Sequence, residues 1–330
     1  FPDYYKDATM VLIPKGQGTT IKDRRPISLL NLDGKILDRI LNDRLTAHLR
    51  HNNLTNDRQH GFTHGRGTQT AIMTFHETIS KDLGQKHKID VVCRDVSKAF
   101  DRIWHTGLKY KLTETNLHDC YKRILCDFVT DRTARIKIGG HTGQTIELET
   151  GVPQGACLSP TLFNFYVHDL PDPLPNTDYI QYADDITQII SAPGDYRFIG
   201  HQTTYAIRQL NDFENKWKIH TNIDKFSTIN IARYKTDTLT INDLTYKRNA
   251  KILGLTFSNR GPAKQVSIRR AIARRTQHKL YRFKRLSTYN KRRLYLTIVR
   301  PQLLYPIIPL NTSSKTSISK LQTVQNAGLR

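Results

Sequence analysis

The chain has 330 residues, and its 38% hydrophobic and 24% charged residues are typical of a folded, soluble protein rather than a disordered one. No apolar run approaches the roughly 18 residues that a membrane helix needs, so we expect no membrane partner. The formal net charge of +22 is concentrated near one end, because residues 244–330 hold 20 Lys and Arg but no Asp or Glu. Such a block favours nucleic acid as a partner over a merely solubilising surface.

The first half of the sequence predicts alternating strands and helices. An apolar strand at Thr9–Ile13 ends at Pro14, before a glycine-rich loop. The elements that follow are a helix at 33–49, a second helix after the stretch GFTHGRG, a strand at Ile89–Asp95, a helix at 117–130, and a hairpin that turns at Gly139 and Gly140.

The second half predicts a helix with Ser159 as N-cap and Pro160 at its first position. A hairpin around YADD and a long helix to about Trp217 come next, followed by strands near 226–232, 237–241 and 250–257. From about residue 263 the pattern is helical and basic, with five expected core contacts: Val266, Ile272, Leu280, Phe283 and Leu286. Together these elements predict an α+β fold.

Two adjacent acids, Asp184 and Asp185, lie between apolar segments in YIQYADDITQII. One interpretation is a hairpin turn, which Asp favours. The other is a metal site, because burying adjacent carboxylates is costly unless a cation offsets them. Asp95 closes a second apolar run, IDVVCRD. Carboxylates from separate elements can hold the two cations of a phosphoryl-transfer site, and Mg²⁺ prefers such hard oxygen ligands.

Several stretches resemble, in order, the motifs of reverse transcriptases. They are IPKGQG with DRRPISLLNLDGKILDRI, QHGFTHGRGTQTAI, DVSKAFD, GVPQGACLSP, YADD, NIDK, ILGLTF, VRPQLLYP and LQTVQNAGLR. The resemblance covers nearly the whole chain and is to the non-LTR (LINE-type) retrotransposon branch, with the jockey-like group as the candidate within it. A lone YxDD would be weak evidence, whereas an ordered series of blocks is strong evidence.

The resemblance implies a right-hand polymerase fold with fingers, a palm built on an antiparallel sheet, and a helical thumb. The fingers would comprise residues 1–88. The palm would comprise 89–257, with a helix and hairpin at about 117–150 contributed to the fingers. The basic thumb and the start of the following region would occupy 258–330.

For catalysis, the resemblance implies that Asp95 and Asp184 ligate two Mg²⁺ ions, for which Mn²⁺ can substitute. Asp185 would support the second metal, and the backbone carbonyl of Val96 would complete the coordination. Lys225, in NIDK, matches the lysine that protonates the departing pyrophosphate.

For the substrate, the resemblance implies five contacts. Phe100 matches the steric gate that excludes a 2′-hydroxyl, although a plain core aromatic is the alternative. Gln154 would lie beside the nucleotide and template base, and Gly155 would allow close backbone approach. Arg25 matches the arginine that clamps the triphosphate, and Lys15 is a candidate phosphate or template contact.

The turn Leu253–Gly254 resembles the primer grip, and the acid-free segment would hold the template–primer duplex by its phosphates. The implied partners are an RNA template, a DNA primer or target DNA, and dNTPs. The implied function is RNA-directed DNA synthesis in target-primed retrotransposition, in the nucleus and in a cytoplasmic ribonucleoprotein. Phe1 in place of Met indicates a piece of a longer protein without a readable targeting signal.

Two residues depart from the family pattern. Arg94 stands where an apolar residue is usual, on the core-facing side of its strand, and would destabilise the fold if it stayed unpaired. Phe226 follows Lys225 where Ser or Thr is usual. These departures keep open a decayed or domesticated protein that only binds RNA. An RNA-dependent RNA polymerase is a further alternative, against which Phe100 speaks.

Overall fold

The computed structural model describes residues 1–16, 20–194, 196–222, 225–231, 240–241, 244–258, 263–283, 285–305 and 315–329. The helices are α1 (Leu32–His51), α2 (Thr68–Gly84), α3 (His105–Thr113), α4 (Asp119–Val129), α5 (Leu158–Tyr166), α6 (Tyr196–Lys216), α7 (Ala263–Leu280), α8 (Thr288–Leu294), α9 (Arg300–Leu304) and α10 (Lys315–Leu329). A π-helical turn, Tyr295–Val299, joins α8 to α9.

The strands are β1 (Asp7–Pro14), β2 (Arg24–Leu29), β3 (Lys88–Asp95), β4 (Arg132–Ile138), β5 (His141–Leu148), β6 (Thr177–Tyr182), β7 (Asp185–Ala192), β8 (Ser227–Asn230), β9 (Thr240–Ile241), β10 (Leu244–Thr245), β11 (Asn249–Ile252) and β12 (Leu255–Ser258). They form two four-stranded sheets and two short hairpins. The N-terminal sheet has the order β2-β1-β4-β5, and the central sheet the order β6-β7-β3-β8.

The central sheet is antiparallel throughout and is buried on both faces. Side chains alternate along β3 because successive residues of a strand point to opposite faces. Ile89 and Val91 pack in the cluster that contains Ile72 and Phe75 of α2. Val92 packs in the separate cluster formed with α6. Helices on both sides therefore fix the register and direction of the strand that carries Asp95.

The largest core lies beside the central sheet and joins α1, α3, α4 and α5. A separate cluster holds the C-terminal helices together; it consists of Val266, Ala273, Tyr295, Val299, Leu303, Leu321 and Val324. Within the described ranges, no helix is both long and apolar enough to cross a bilayer.

Most predicted elements are confirmed, including the strand at β3, the turn at Gly139–Gly140 and the long helix ending near Trp217. The predicted strand at 250–257 is wrong, because it is the hairpin β11–β12, which turns at Leu253 and Gly254. Part of the strand expected at 237–241 lies outside the described residues.

The predicted start of α5 is also wrong. The helix begins at Leu158, and Ser159 donates its hydroxyl to the carbonyl of Pro153 instead of capping. The carboxylate of Asp38 on α1 accepts from the amides of Cys157 and Leu158 at 2.6 and 3.0 Å. A side chain from another helix therefore provides the cap that the local sequence assigned to Ser159.

Two of the five expected thumb core contacts are wrong, and a third, Ile272, is only half-buried. Phe283 is 52% exposed and Leu286 is 36% exposed. Val266 is buried, and Leu280 packs partly against the same cluster. The apolar positions that complete this core come instead from α9, α10 and the π-helical turn.

Candidate active site

The register of the central sheet brings the predicted acids together. Asp95 at the end of β3 pairs directly with Asp185 at the start of β7. Asp184 lies one residue earlier, in the two-residue turn between β6 and β7. Asp184 is thus a turn residue and Asp185 the first residue of the following strand, which places both acids beside Asp95.

The turn is held by Gln59, a residue that the sequence did not single out. Gln59 is 3% exposed. Its side-chain oxygen accepts from the amide of Ala183 at 2.8 Å, and its side-chain nitrogen donates to the carbonyl of Ala183 at 3.2 Å. Ala183 has a φ of 55°, which is unfavourable for a residue other than glycine. This two-point contact therefore stabilises the strained residue that precedes Asp184.

Gly61 packs against the same turn. A Cβ on Gly61 would lie 2.3 Å from the backbone nitrogen of Ala183, so no larger residue fits without moving the turn. Both Gln59 and Gly61 occur in QHGFTHGRG, one of the stretches that resemble the family. The resemblance gave no role for them, because their partner lies more than 120 residues away in the sequence.

Lys225 contacts the cluster directly. Its ammonium lies 2.7 Å from both carboxylate oxygens of Asp95. The segment just before this lysine is hydrogen-bonded to the end of β3, since the amide of Asn222 donates to the carbonyl of Asp95 at 2.7 Å. Val96 forms an isolated bridge with Thr221, and its amide donates to the carbonyl of Asp184 at 3.2 Å.

The carboxyl groups of the turn repel one another. Burial, followed by the charge of Asp95, raises the pKa of Asp184. Burial, followed by the charges of Asp184 and Asp95, raises the pKa of Asp185 to about 6. A cation placed among these groups would relieve both causes. The charges of Lys225 and Lys15 already act in that direction on Asp184.

The donor set fits a hard divalent cation, since every side-chain donor is a carboxylate oxygen. In the described part of the chain, however, no group of three or more His, Cys, Asp or Glu side chains is arranged to hold a metal ion. Both oxygens of Asp95 are engaged by Lys225. The three predicted acids are thus brought together, with Lys225 bound to one of them.

Arg94 is buried, as strand alternation predicted, but it is not unpaired. It is 3% exposed and lies 2.9 Å from the carboxylate of Glu214 on α6. It also donates at 2.9 Å to the carbonyl of Ile207 and to the side chain of Asn211. Its guanidinium carbon lies 5.5 Å from the ring centroid of Phe226. The two departures from the family pattern are therefore in contact, and the expected destabilisation by an unpaired charge does not arise.

The loop around Gln154 is hydrogen-bonded both to the segment that follows β3 and to β2. The Gln154 side chain donates to the carboxylate of Asp101 at 2.7 Å, and burial raises the pKa of that carboxyl. The amide of Ser28 on β2 donates to the carbonyl of Gln154 at 2.7 Å. Gly155 has a φ of 125°, and a Cβ there would lie 2.7 Å from the carbonyl oxygen of Ser28. Asp101 was also missed, although it ends the quoted motif DVSKAFD.

The remaining predicted substrate residues lie on separate elements. Phe100 is half-buried, with ring centroids 6.1 Å from Phe62 and 5.4 Å from Phe163. Arg25 is exposed on β2, opposite Ile13 of β1.

The predicted primer grip is the turn of the β11–β12 hairpin. Its two residues, Leu253 and Gly254, have φ angles of 46° and 80°. Both backbone angles lie in the left-handed region, as two-residue hairpin turns of this kind require.

A sequence model of the family described as reverse transcriptase (RNA-dependent DNA polymerase) matches residues 13–257. The chain therefore belongs to the reverse transcriptase family. Within that family, it is 26% identical over its full length to the probable RNA-directed DNA polymerase from transposon BS of Drosophila melanogaster. It is 28% identical over 97% of its length to the RNA-directed DNA polymerase from mobile element jockey of Drosophila funebris. The resemblance to the non-LTR branch is confirmed.

The chain covers 38% and 37% of the length of these two relatives. Among solved structures, it is similar to telomerase from Candida albicans in complex with a TWJ fragment of telomeric RNA. That similarity covers 97% of this chain and 61% of the telomerase, at 14% identity and a TM-score of 0.55. Apo telomerase from Candida tropicalis gives a TM-score of 0.51 at 15% identity, over 78% of this chain and 54% of that one. The right-hand polymerase fold is thereby confirmed.

Proposed function

We propose that this chain is the polymerase part of a retrotransposon protein that extends a DNA primer on an RNA template. The observation that carries the proposal is the strand register that pairs Asp95 with Asp185 and places Asp184 in the adjoining turn, in a chain of the reverse transcriptase family. The template RNA, the primer or target DNA and the dNTPs are the proposed partners.

Two divalent cations, Mg²⁺ or in substitution Mn²⁺, are the proposed cofactors. Asp95, Asp184 and Asp185 would hold them, together with the backbone carbonyl of Val96. When bound, such cations stabilise negative charge on the attacking and leaving oxygens of a phosphoryl transfer. Lys225 would have to release Asp95 to make room for them.

The chemistry is a displacement at the α-phosphate. The primer 3′-oxygen forms the new bond to phosphorus while the bond to the pyrophosphate oxygen breaks, and the hydroxyl proton passes to solvent. Lys225 would deliver a proton to the departing pyrophosphate. Arg25 and Lys15, both exposed cations, would bind the triphosphate.

Selection of the nucleotide is proposed to rest on two further residues. The ring of Phe100 would lie under the sugar and leave no room for a 2′-hydroxyl. Gln154, whose amide is oriented by Asp101, would contact the nucleotide and template base, with Gly155 allowing the backbone to approach. Leu253 and Gly254 would contact the primer.

We further propose the domain division expected from the family, with fingers at 1–88, palm at 89–257 and thumb from 258. The helix and hairpin at about 117–150 would belong to the fingers, and β4 and β5 of this segment join β1 and β2 in one sheet. Target-primed synthesis in the nucleus, and assembly into a cytoplasmic ribonucleoprotein, are proposed from the family alone.

The test is primer extension by the purified 330-residue chain on an RNA template annealed to a DNA primer. We expect products whose sequence follows the template, that require dNTPs, disappear with EDTA and return with excess Mg²⁺. A chain that binds the RNA–DNA duplex in a gel shift but adds no nucleotide under any of these conditions contradicts the proposal and supports a binding-only protein.

A further inference from the structure

The β11–β12 hairpin is anchored in the core of the central sheet. Ile252, Leu255 and Phe257 belong to the same buried cluster as Ile89 and Val91 of β3. The Phe257 ring contacts Phe75 of α2 edge-on, at a centroid distance of 5.2 Å. The strands of the hairpin are therefore fixed to the palm region, and Leu253 of its turn packs, partly buried, against the same cluster, as does Tyr305.

The turn itself is held by the C-terminal helical region. The hydroxyl of Tyr305, after α9, donates to the carbonyl of Leu253 at 2.6 Å. The guanidinium of Arg269 on α7 donates to the carbonyl of Gly254 at 2.7 Å. Both successive carbonyls of the turn thus accept from side chains of the C-terminal region, one on α7 and one just after α9.

The two side chains also support each other. The guanidinium carbon of Arg269 lies 4.9 Å from the ring centroid of Tyr305, within the range of a cation–π contact. Burial lowers the pKa of Arg269. A third contact runs in parallel, because the buried side-chain oxygen of Gln265 accepts from the amide of Thr256 at 3.1 Å.

The backbone angle favours glycine at this junction. Gly254 has a φ of 80°, and a Cβ there would lie 3.5 Å from the ring of Tyr305 and 3.8 Å from the guanidinium of Arg269. The junction is therefore packed on the side that faces the helices. Exposed arginines on the same helix, such as Arg274, lie outside these contacts.

We propose that Arg269 and Tyr305 are positioning residues that lock the Leu253–Gly254 turn to the C-terminal helices. The proposal rests on the function proposed above, in which the turn contacts the primer and the basic helices hold the duplex. The strands of the hairpin are fixed in the palm, and the carbonyls of its turn are bound by the C-terminal region. The position of the primer end relative to the held duplex is therefore kept constant. The expected functional consequence is processivity. The contacts should keep the primer in place between successive nucleotide additions and should affect the rate of a single addition much less.

The first experiment compares Tyr305→Phe with wild type, since this change removes one hydroxyl and no charge. Tyr281→Phe is the matched control, because Tyr281 is 65% exposed on the neighbouring 3-10 turn. With a heparin trap that limits each enzyme to one binding event, we expect Tyr305→Phe to shorten the mean product by about fivefold, as one hydrogen bond allows. The rate of adding a single nucleotide should stay within about twofold of wild type.

The second comparison is Arg269→Gln against Arg274→Gln. Each removes one positive charge from α7, so both should weaken duplex binding in a similar, salt-dependent way. At equal occupancy, Arg269→Gln should shorten the products and Arg274→Gln should not. Equal product lengths for both arginine variants, together with a Tyr305→Phe enzyme that matches Tyr281→Phe, would overturn the proposal.

Hydrogen exchange of the peptide spanning 249–258 gives a readout that needs no activity. Faster exchange is expected in Tyr305→Phe and Arg269→Gln than in their controls, because the turn loses a bond to the helices. Unchanged exchange rejects the lock even if the enzyme is active. If the wild type is inactive but exchange is faster in both variants, the proposed function is rejected and the contact between the turn and the C-terminal helices is supported.

Discussion

Arg94 on β3 and Glu214 on α6 form a buried ion pair with a nitrogen–oxygen distance of 2.9 Å. Glu214 also accepts from the hydroxyl of Thr221 at 2.7 Å, and Thr221 forms the bridge to Val96. The charge of Arg94, which kept open a decayed protein that only binds RNA, is therefore part of a network that fixes the chain next to Asp95. Retention of the acids, with this charge satisfied, removes the main structural reason for a binding-only protein.

Breaking this pair should destabilise the fold. Glu214→Ala leaves Arg94 buried without its carboxylate and should lower the free energy of unfolding by about 3–5 kcal/mol. The double change Arg94→Met with Glu214→Met should cost much less than the sum of the single changes, because no charge stays buried. Urea unfolding measures both. Asp43→Asn, which breaks an exposed pair with Arg39, is the control, and a Glu214→Ala effect no larger than this would refute the assignment.

Gln59 should matter for catalysis through the position of Asp184. Gln59→Ala removes both contacts that Gln59 makes with Ala183 and leaves the Gln181 side chain, which donates to the Ala183 carbonyl at 3.3 Å. We therefore expect kcat for nucleotide addition to fall about 10- to 100-fold, with a small change in KM for dNTP. The control is Gln188→Ala, a buried glutamine of β7 that donates to the carbonyl of Ala206 instead of the turn. Equal losses of kcat in the two variants would mean that Gln59 acts only through general stability.

Phe100 should decide between deoxynucleotides and ribonucleotides. Phe100→Ala removes the half-buried ring and opens the space that it fills, so the preference for dNTP over rNTP should fall by about tenfold or more. Phe163→Leu changes a neighbouring, buried ring and should lower stability without changing that preference. Competing dNTP and rNTP in single-addition assays measures the ratio. An unchanged ratio of dNTP to rNTP incorporation in Phe100→Ala would show that Phe100 is an ordinary core aromatic.

Lys111 should give the fold a pH dependence on the alkaline side. Lys111 is 5% exposed, and its ammonium contacts Asp169 and lies 3.7 Å from the ring centroid of Trp217. Burial lowers its pKa from 10.5 to about 8, although Asp169 acts in the opposite direction. The unfolded chain therefore binds more protons than the folded chain between these values, and stability rises with pH across that window.

Thermal or urea unfolding of wild type and Lys111→Met at several pH values measures this effect. Wild type should gain up to about 3 kcal/mol relative to Lys111→Met between pH 8 and pH 10.5. Parallel curves for the two proteins would show that Lys111 titrates with the same pKa in the folded and unfolded chains.

The local pattern was sufficient for the elements but not for the contacts that orient them. The apolar runs before Asp95 and around YADD predicted β3 and β7, and the order of the motifs predicted the family. The contacts between Gln59 and Ala183, Arg94 and Glu214, and Asp38 and Cys157 join residues about 120 positions apart. No periodicity predicts such pairs, because the partners lie far apart in the sequence and Ala183 and Cys157 take part through backbone groups.

The errors have the same origin. Ser159 followed by Pro160 is a good local start for a helix, but a carboxylate from α1 satisfies the amides one turn earlier. Phe283 and Leu286 fit a helical period, yet the chain leaves the α-helix at Leu280 and they face solvent. In both cases the surrounding structure, and not the local pattern, decided the outcome.

The central claim is that Asp184 is an indispensable carboxylate of a template-directed polymerase. The most direct measurement is the rate of primer extension on an RNA template by Asp184→Asn, with Asp172→Asn as a control, since Asp172 is fully exposed at its side chain. We expect Asp184→Asn to lose about 1000-fold or more of the rate while still binding the duplex, and Asp172→Asn to match wild type. Extension by Asp184→Asn at a rate similar to that of wild type would contradict the account.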